Sequence, residues 1–322
     1  VIPSAGRLTV IELADGVIAN VNELVAALDE KAVEFDGIIK MGRTQLEDAV
    51  PIRLGQEFKA YSSGVKRCLR LFESAIREMY TINLGGTAIG TAINVKRDYL
   101  DEIVPELCKV SGRELKQAEN LIDATQNLDG FVCVSGAVKT LAVTLSKMCN
   151  DLRLLASGPK TGFEEILLPA KQNGSSIMPG KVNPVIPEVV SQVAFAVIGN
   201  DTTITLAAEA GQLELNAFEP VIFYKLFESL KCVKNAVKTL TKNCIEGIAS
   251  NRAHCEELLY SSVGTVTALT PVIGYEKAAD LAKEALKRNL RIRDLVIEKG
   301  VMDEKTLDEL LNPFSMTQPK HL

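Results

Sequence analysis

Histidine is almost missing from this sequence. Only His254 and His321 occur in 322 residues, so a His/Cys zinc site has too few imidazoles to be built. Paired cysteines are missing as well. Cys68, Cys108, Cys133, Cys149, Cys232, Cys244 and Cys255 are odd in number and form no C-x-x-C. Most sit in apolar helical patterns, where cysteine acts as a small hydrophobe, and reduced thiols in the cytoplasm are expected. No basic block stands out: the net charge is −5, with both signs interspersed among 24% charged residues. Nucleic acid is therefore not an expected partner. No run of eighteen apolar residues is free of charges or strong polar breaks, so no membrane span is expected. The opening "VIPSAGRLTV" has neither a starting Met nor a basic-then-apolar leader, and reads as a chain entered midway. No cluster of metal ligands is visible, and neither a metal nor a cofactor is expected.

What is present is a 47% hydrophobic composition, enough for one large core or two smaller ones. The periodicity is helical nearly throughout. In the first segment Val10, Leu13, Ala14, Val17, Val21, Leu24, Val25 and Leu28 recur at spacings of three and four. A second helix is expected from about Leu54 to Tyr80, broken by the Gly/Thr-rich "NLGGTAIGTAIN". A third long helix ends at Ser157-Gly158-Pro159, where Gly suits a left-handed cap and Pro forbids continuation. Beyond Pro184 the pattern reads as two long helices, or as one bent near Gly211. Its first part is apolar or small on almost every face, so other helices must surround it, including helices of other subunits. Short amphipathic helices fill the tail. The predicted architecture is all-α: a long-helix bundle over residues 1–268 and a small helical C-terminal domain over 269–322.

One stretch breaks the helical pattern with chemistry-bearing residues: "QNGSSIMPGKVNP", Gln172 to Pro184. It is not a Walker loop, because five residues separate its glycines, Val182 follows Lys181, and no strand pattern precedes it. Gly174 and Gly180 permit tight turns and close approach to a ligand. Ser175 and Ser176 supply hydroxyls and Lys181 a positive charge. Asn183 suits an N-cap and Pro184 the first helical position, which would aim the positive end of the next helix into the loop. Two readings stand on the residues alone: a mobile lid over a small carboxylate, or a surface loop with an ordinary helix cap.

"GSSIMPGKVNP" resembles the signature loop of the fumarase/aspartase superfamily. "KMGRTQLEDAVPIRLGQEF", Lys40 to Phe58, resembles its second conserved region. "NLGGTAIGTAIN", "LIDATQN", "SKMCNDLRLLASGP" and "GNDTTITLAAEAGQLELNAFEPVI" extend the similarity along nearly the whole chain. "TPVIGYEKAADLAKEAL" and "LNPFSMTQPKHL" are similar to its small C-terminal domain. Gln45 follows "GRT", where fumarases and some aspartases carry histidine and other aspartases glutamine; with "DTTITLAAEAGQLELN" it is most like the aspartate ammonia-lyase branch. Argininosuccinate and adenylosuccinate lyases match less well.

The resemblance implies reversible anti elimination of ammonia from L-aspartate to give fumarate. Ser175 would be the catalytic base, with loop N–H groups, cations and the helix end favouring its alkoxide. Ser176 and adjacent N–H groups would hold the carboxylate that gains charge in an enediolate intermediate. Lys181 and Asn183 would bind the other carboxylate with Thr44, and Gln45 would lie near the amino group. Glu188, whose fumarase counterpart pairs with the histidine absent here, would play a supporting part. Arg43 is expected in a structural ion pair, and Thr44 and Gln45 also suit an ordinary helix start. Asn83 to Thr91 would either line the site or form a tight glycine packing turn. A homotetramer with sites shared between subunits is implied. So is an upstream domain with a Ser/Thr-Asn-Asp segment; the expectation is a chain without that domain, lacking some substrate contacts. Fumarate hydratase, of the same superfamily, and a non-catalytic structural scaffold are the competing expectations.

Overall fold

A computed structural model describes residues 1–175 and 177–318. Ser176, assigned above to substrate binding, and His321 lie outside the described residues. In chain order the α-helices are α1 (Ile2–Glu34), α2 (Leu54–Arg77), α3 (Arg97–Ser111), α4 (Asp123–Gln126), α5 (Asp129–Leu155), α6 (Val185–Glu209), α7 (Glu219–Asn243), α8 (Arg252–Ser261), α9 (Thr270–Ile273), α10 (Tyr275–Arg288), α11 (Ile292–Glu298) and α12 (Glu304–Leu310). Among the described residues three two-stranded ribbons accompany them: β1 (Ile39–Thr44) with β2 (Glu47–Arg53), β3 (Thr81–Ile82) with β4 (Lys116–Gln117), and β5 (Ile166–Leu167) with β6 (Ala249–Ser250). The predicted all-α class holds, and the region after Pro184 is two helices, not one bent helix.

These elements form two compact units. The first comprises Val1–Ala27, Ser62–Arg153 and Ala170–Glu246, and the second takes Leu28–Tyr61, Leu154–Pro169 and the chain from Gly247 onward. The first unit is the bundle. Val10, Ala14, Val17, Val21 and Leu24 are buried on α1, the stripe that the spacing predicts. Gly6 lets the Phe223 ring of α7 close in, since a Cβ there would stand 2.4 Å from it. Phe223 is 5.3 Å from Phe131 of α5, centroid to centroid, and 5.6 Å from Phe227. Asp201 of α6 accepts from Ser135 Oγ at 2.7 Å and pairs with Lys139, both on α5.

By length and mean hydropathy alone, α5 and α6 could each cross a bilayer. In the bundle about half of the α5 window and 39% of the α6 window are buried against protein. The remaining apolar surface of α6 stays uncovered within one chain: Phe195 is 64% exposed and Leu206 63%.

The glycine-rich stretch after β3 is a tight packing turn. Gly85 and Gly90 take φ of +98° and +94°, and a Cβ on Gly90 would sit 2.3 Å from the Ile122 nitrogen. Asn83 is buried in its base, accepting from Ser4 Oγ at 2.9 Å and donating to Thr125 Oγ1 at 3.1 Å.

The second unit has two centres. One surrounds Phe58, which meets Phe35 edge-on with centroids 5.1 Å apart. The other holds Leu269, Leu281, Ile292, Leu295, Val296 and Leu307 of the terminal helices. Outside that second core, Arg293 clamps Asp308 at 2.7 Å and Arg288 clamps Glu298 at 2.8 Å. These arginines hold both carboxyls below the usual carboxylate range, as Lys299 does for Glu284. A carboxyl whose folded value is depressed takes up protons more readily unfolded. Its stabilisation is therefore present above the ordinary carboxylate pKa and lost as pH falls through the folded value. Amide protection factors over residues 275–310, taken against the intrinsic exchange rate at each pH, are expected to fall between about pH 5 and about pH 3. Salt should shrink that difference, because every pair involved is at the surface.

Candidate active site

The loop ahead of α6 closes on itself. Ser175 N–H donates to the Lys181 carbonyl at 3.1 Å, and Lys181 N–H donates to the Met178 carbonyl at 3.2 Å. Only glycine fits at 174, where a Cβ would lie 2.7 Å from the Lys181 oxygen. Gly180 takes φ of +82°, the left-handed region. Inside this turn Ser175 Oγ accepts two backbone hydrogen bonds, from Ile177 N–H and Met178 N–H, each at 3.2 Å. Ser175 is half-buried. Two convergent N–H dipoles on one hydroxyl oxygen favour its negatively charged form.

Lys181 is exposed, with no carboxylate at ion-pair distance among the described residues. The helix begins one residue later than predicted. Pro184 is the N-cap, without a side-chain cap hydrogen bond, and Val185 opens α6. Asn183 stands just outside, its carbonyl accepting from Val185 N–H at 2.9 Å. Its amide side chain is thus not spent on capping, because the proline shifts the helix start past it. Among the described residues no side chain caps the first N–H groups of this 25-residue helix, which begins beside the loop. Glu188, in the first turn, stands 3.5 Å from Arg153 of α5, a partner the sequence reading did not foresee.

Thr44 and Gln45 belong to the second unit and are not at a helix start. They occupy the tip of the β1–β2 hairpin, where Thr44 pairs with Glu47 and Gln45–Leu46 form the two-residue loop. Both are exposed. Arg43 makes the structural ion pair expected of it, with Glu165 Oε1 at 2.8 Å.

The family profile described as lyase matches residues 1–199, and that of the fumarase C C-terminus matches residues 266–318. The chain belongs to the lyase family. Aspartate ammonia-lyase of Helicobacter pylori (strain ATCC 700392 / 26695) is 52% identical over 317 residues, covering 98% of this chain and 68% of the relative. The enzyme of the same name from Bacillus subtilis (strain 168) is 46% identical over 319 residues, 99% of this chain and 67% of the relative. Among solved structures, a fumarate lyase:delta crystallin from Brucella melitensis bound to cobalt superposes with a TM-score of 0.95 at 46% identity. It is covered over 69% of its chain, against 98% of this one. A class II fumarase from Schistosoma mansoni gives 0.94 at 33% identity, over 99% of this chain and 70% of the fumarase. In this lyase the Ser175 hydroxyl, the exposed Lys181 and the start of α6 stand together in one short loop.

Proposed function

We propose that this lyase removes ammonia from L-aspartate, reversibly and with anti geometry, to give fumarate. The observation that carries the reading is the pair of N–H groups on Ser175 Oγ. They supply the stabilisation that a serine needs to act as a base without an imidazole. The Ser175 alkoxide takes the proton from the carbon beside one carboxylate. The electron pair enters that carboxylate as an enediolate, then returns to form the double bond as the C–N bond breaks and nitrogen leaves with its pair.

The added charge is the difficult quantity. Ser176 and neighbouring N–H groups hold the carboxylate that gains it, in a site where preorganised donors count most. Lys181 and Asn183 bind the other carboxylate, with Thr44. Gln45 faces the amino group. Glu188, 3.5 Å from Arg153, plays a supporting part at the start of α6.

The exposed apolar face of α6 favours further copies of the chain around it, in a homotetramer whose subunits share each site. Seven free thiols suit the reducing cytoplasm. The test is fumarate absorbance on adding L-aspartate to the native protein. Fumarate from malate and none from aspartate would make the protein a hydratase; none from either, with the fold intact, would make it a scaffold.

A further inference from the structure

The Gln45–Leu46 loop is built against its own preference. Both residues take positive φ, +55° and +67°. Two-residue hairpin loops of this kind favour Asn-Gly, which reaches that region with little strain. A glutamine followed by a leucine stays there only when its surroundings over-determine it. The hairpin is also bent. Ala49 and Val50 together oppose Gly42, a bulge that re-aims the tip, and a Cβ on Gly42 would lie 2.7 Å from the Val50 carbonyl.

What fixes the hairpin is turned inward. Lys40 is 1% exposed and Glu165 0%. Arg43 Nη1 donates to Glu165 Oε1 at 2.8 Å, and its guanidinium lies 4.0 Å over the Phe163 ring. Lys40 Nζ stands 3.0 Å from Glu165 Oε2 and 3.0 Å from Glu57 Oε1. Its contact to Glu165 is an ion pair without hydrogen-bond alignment. Glu165 is itself held through its backbone. Its N–H donates to the Leu155 carbonyl at 2.9 Å, and its carbonyl accepts from Asn251 N–H at 2.9 Å. Cys255 Sγ also contacts that carbonyl at 3.6 Å, a thiol that burial pushes up to about 12.

We propose that Glu165 is a positioning residue for the substrate contacts at the hairpin tip. One carboxylate, fixed to the frame of the second unit, receives two cations from β1 and thereby sets where Thr44 and Gln45 stand. Arg43 is held inward on Glu165, and the next residue, Thr44, is exposed at the tip. The inference rests on the proposed function for the part played by Thr44 and Gln45, but the bracing itself can be measured without turnover.

Glu165→Gln keeps the shape and removes the charge. In the native protein, amides of residues 39–53 are expected to exchange faster, and KM for L-aspartate to rise about tenfold with kcat little changed. Glu165→Asp, which restores the charge at shorter reach, should fall between. Leu307→Ala, in the terminal core, is the control that lowers the thermal midpoint without moving KM. Unchanged exchange in the hairpin overturns the proposal whatever the activity, and so does a lowered midpoint with KM unmoved. If the parent protein makes no fumarate, the functional reading fails while hairpin exchange still decides the bracing. Should Glu165→Gln not fold, Arg43→Lys, which loses the contact with Phe163, answers through the same readouts.

Discussion

Ser175→Ala is expected to lower kcat for L-aspartate by about 10²- to 10⁴-fold, the usual contribution of a positioned acid–base group. Thermal midpoint and helical content should stay close to those of the parent protein. The reason lies in the loop's construction. Ser175 is tied to Lys181 through its backbone N–H, which alanine retains. The substitution removes only the oxygen on which Ile177 N–H and Met178 N–H converge. Those donors then face an exposed turn, where water replaces the lost acceptor at little cost. Turnover within about threefold of the parent would remove Ser175 as the base. A collapse of the fold would instead make it a structural hydroxyl.

Lys181→Met should act mainly on binding. Methionine keeps an unbranched stem and removes a charge that no described carboxylate neutralises in the free protein. A charge-assisted hydrogen bond to a carboxylate contributes about 1.5–3 kcal/mol, so KM for L-aspartate should rise on the order of 10- to 150-fold. The dependence of KM on salt should weaken in parallel, because the lysine attracts the doubly negative product and its precursor at a distance. A change in kcat alone, with KM unmoved, would place Lys181 on the charge formed in the transition state rather than on the resting carboxylate.

The bundle was legible because long helices repeat one simple rule. The α1 stripe, the stop at Gly158-Pro159 and the three amphipathic tail helices α10, α11 and α12 all follow from spacing and cap residues. The β1–β2 hairpin was not. Its turn has neither Asn-Gly nor Asp-Gly, and its strands are fixed by partners far along the chain, above all Glu165, 122 residues beyond Arg43. The Glu188–Arg153 pair escaped for the same reason, since it joins two helices across an intervening loop. The candidate site divides likewise. Ser175, Lys181 and Asn183 announce themselves through the glycines and prolines around them. Nothing local to Thr44 or Gln45 separates a hairpin tip from the first turn of a helix. The uncapped start of α6 depended on a single-residue shift, which lies within the ordinary uncertainty of helix ends.

The hydrogen bond from Ser175 N–H to the Lys181 carbonyl couples two groups that the chain alone would leave free to drift apart. If Ser175 is the base and Lys181 the carboxylate ligand, as proposed, base and ammonium are carried on one small plate. On that proposal an acid that engages the lysine is expected to position the hydroxyl with it, and a molecule without that negative end to engage neither. Lengthening the segment between them by even one residue is then expected to loosen discrimination and rate together.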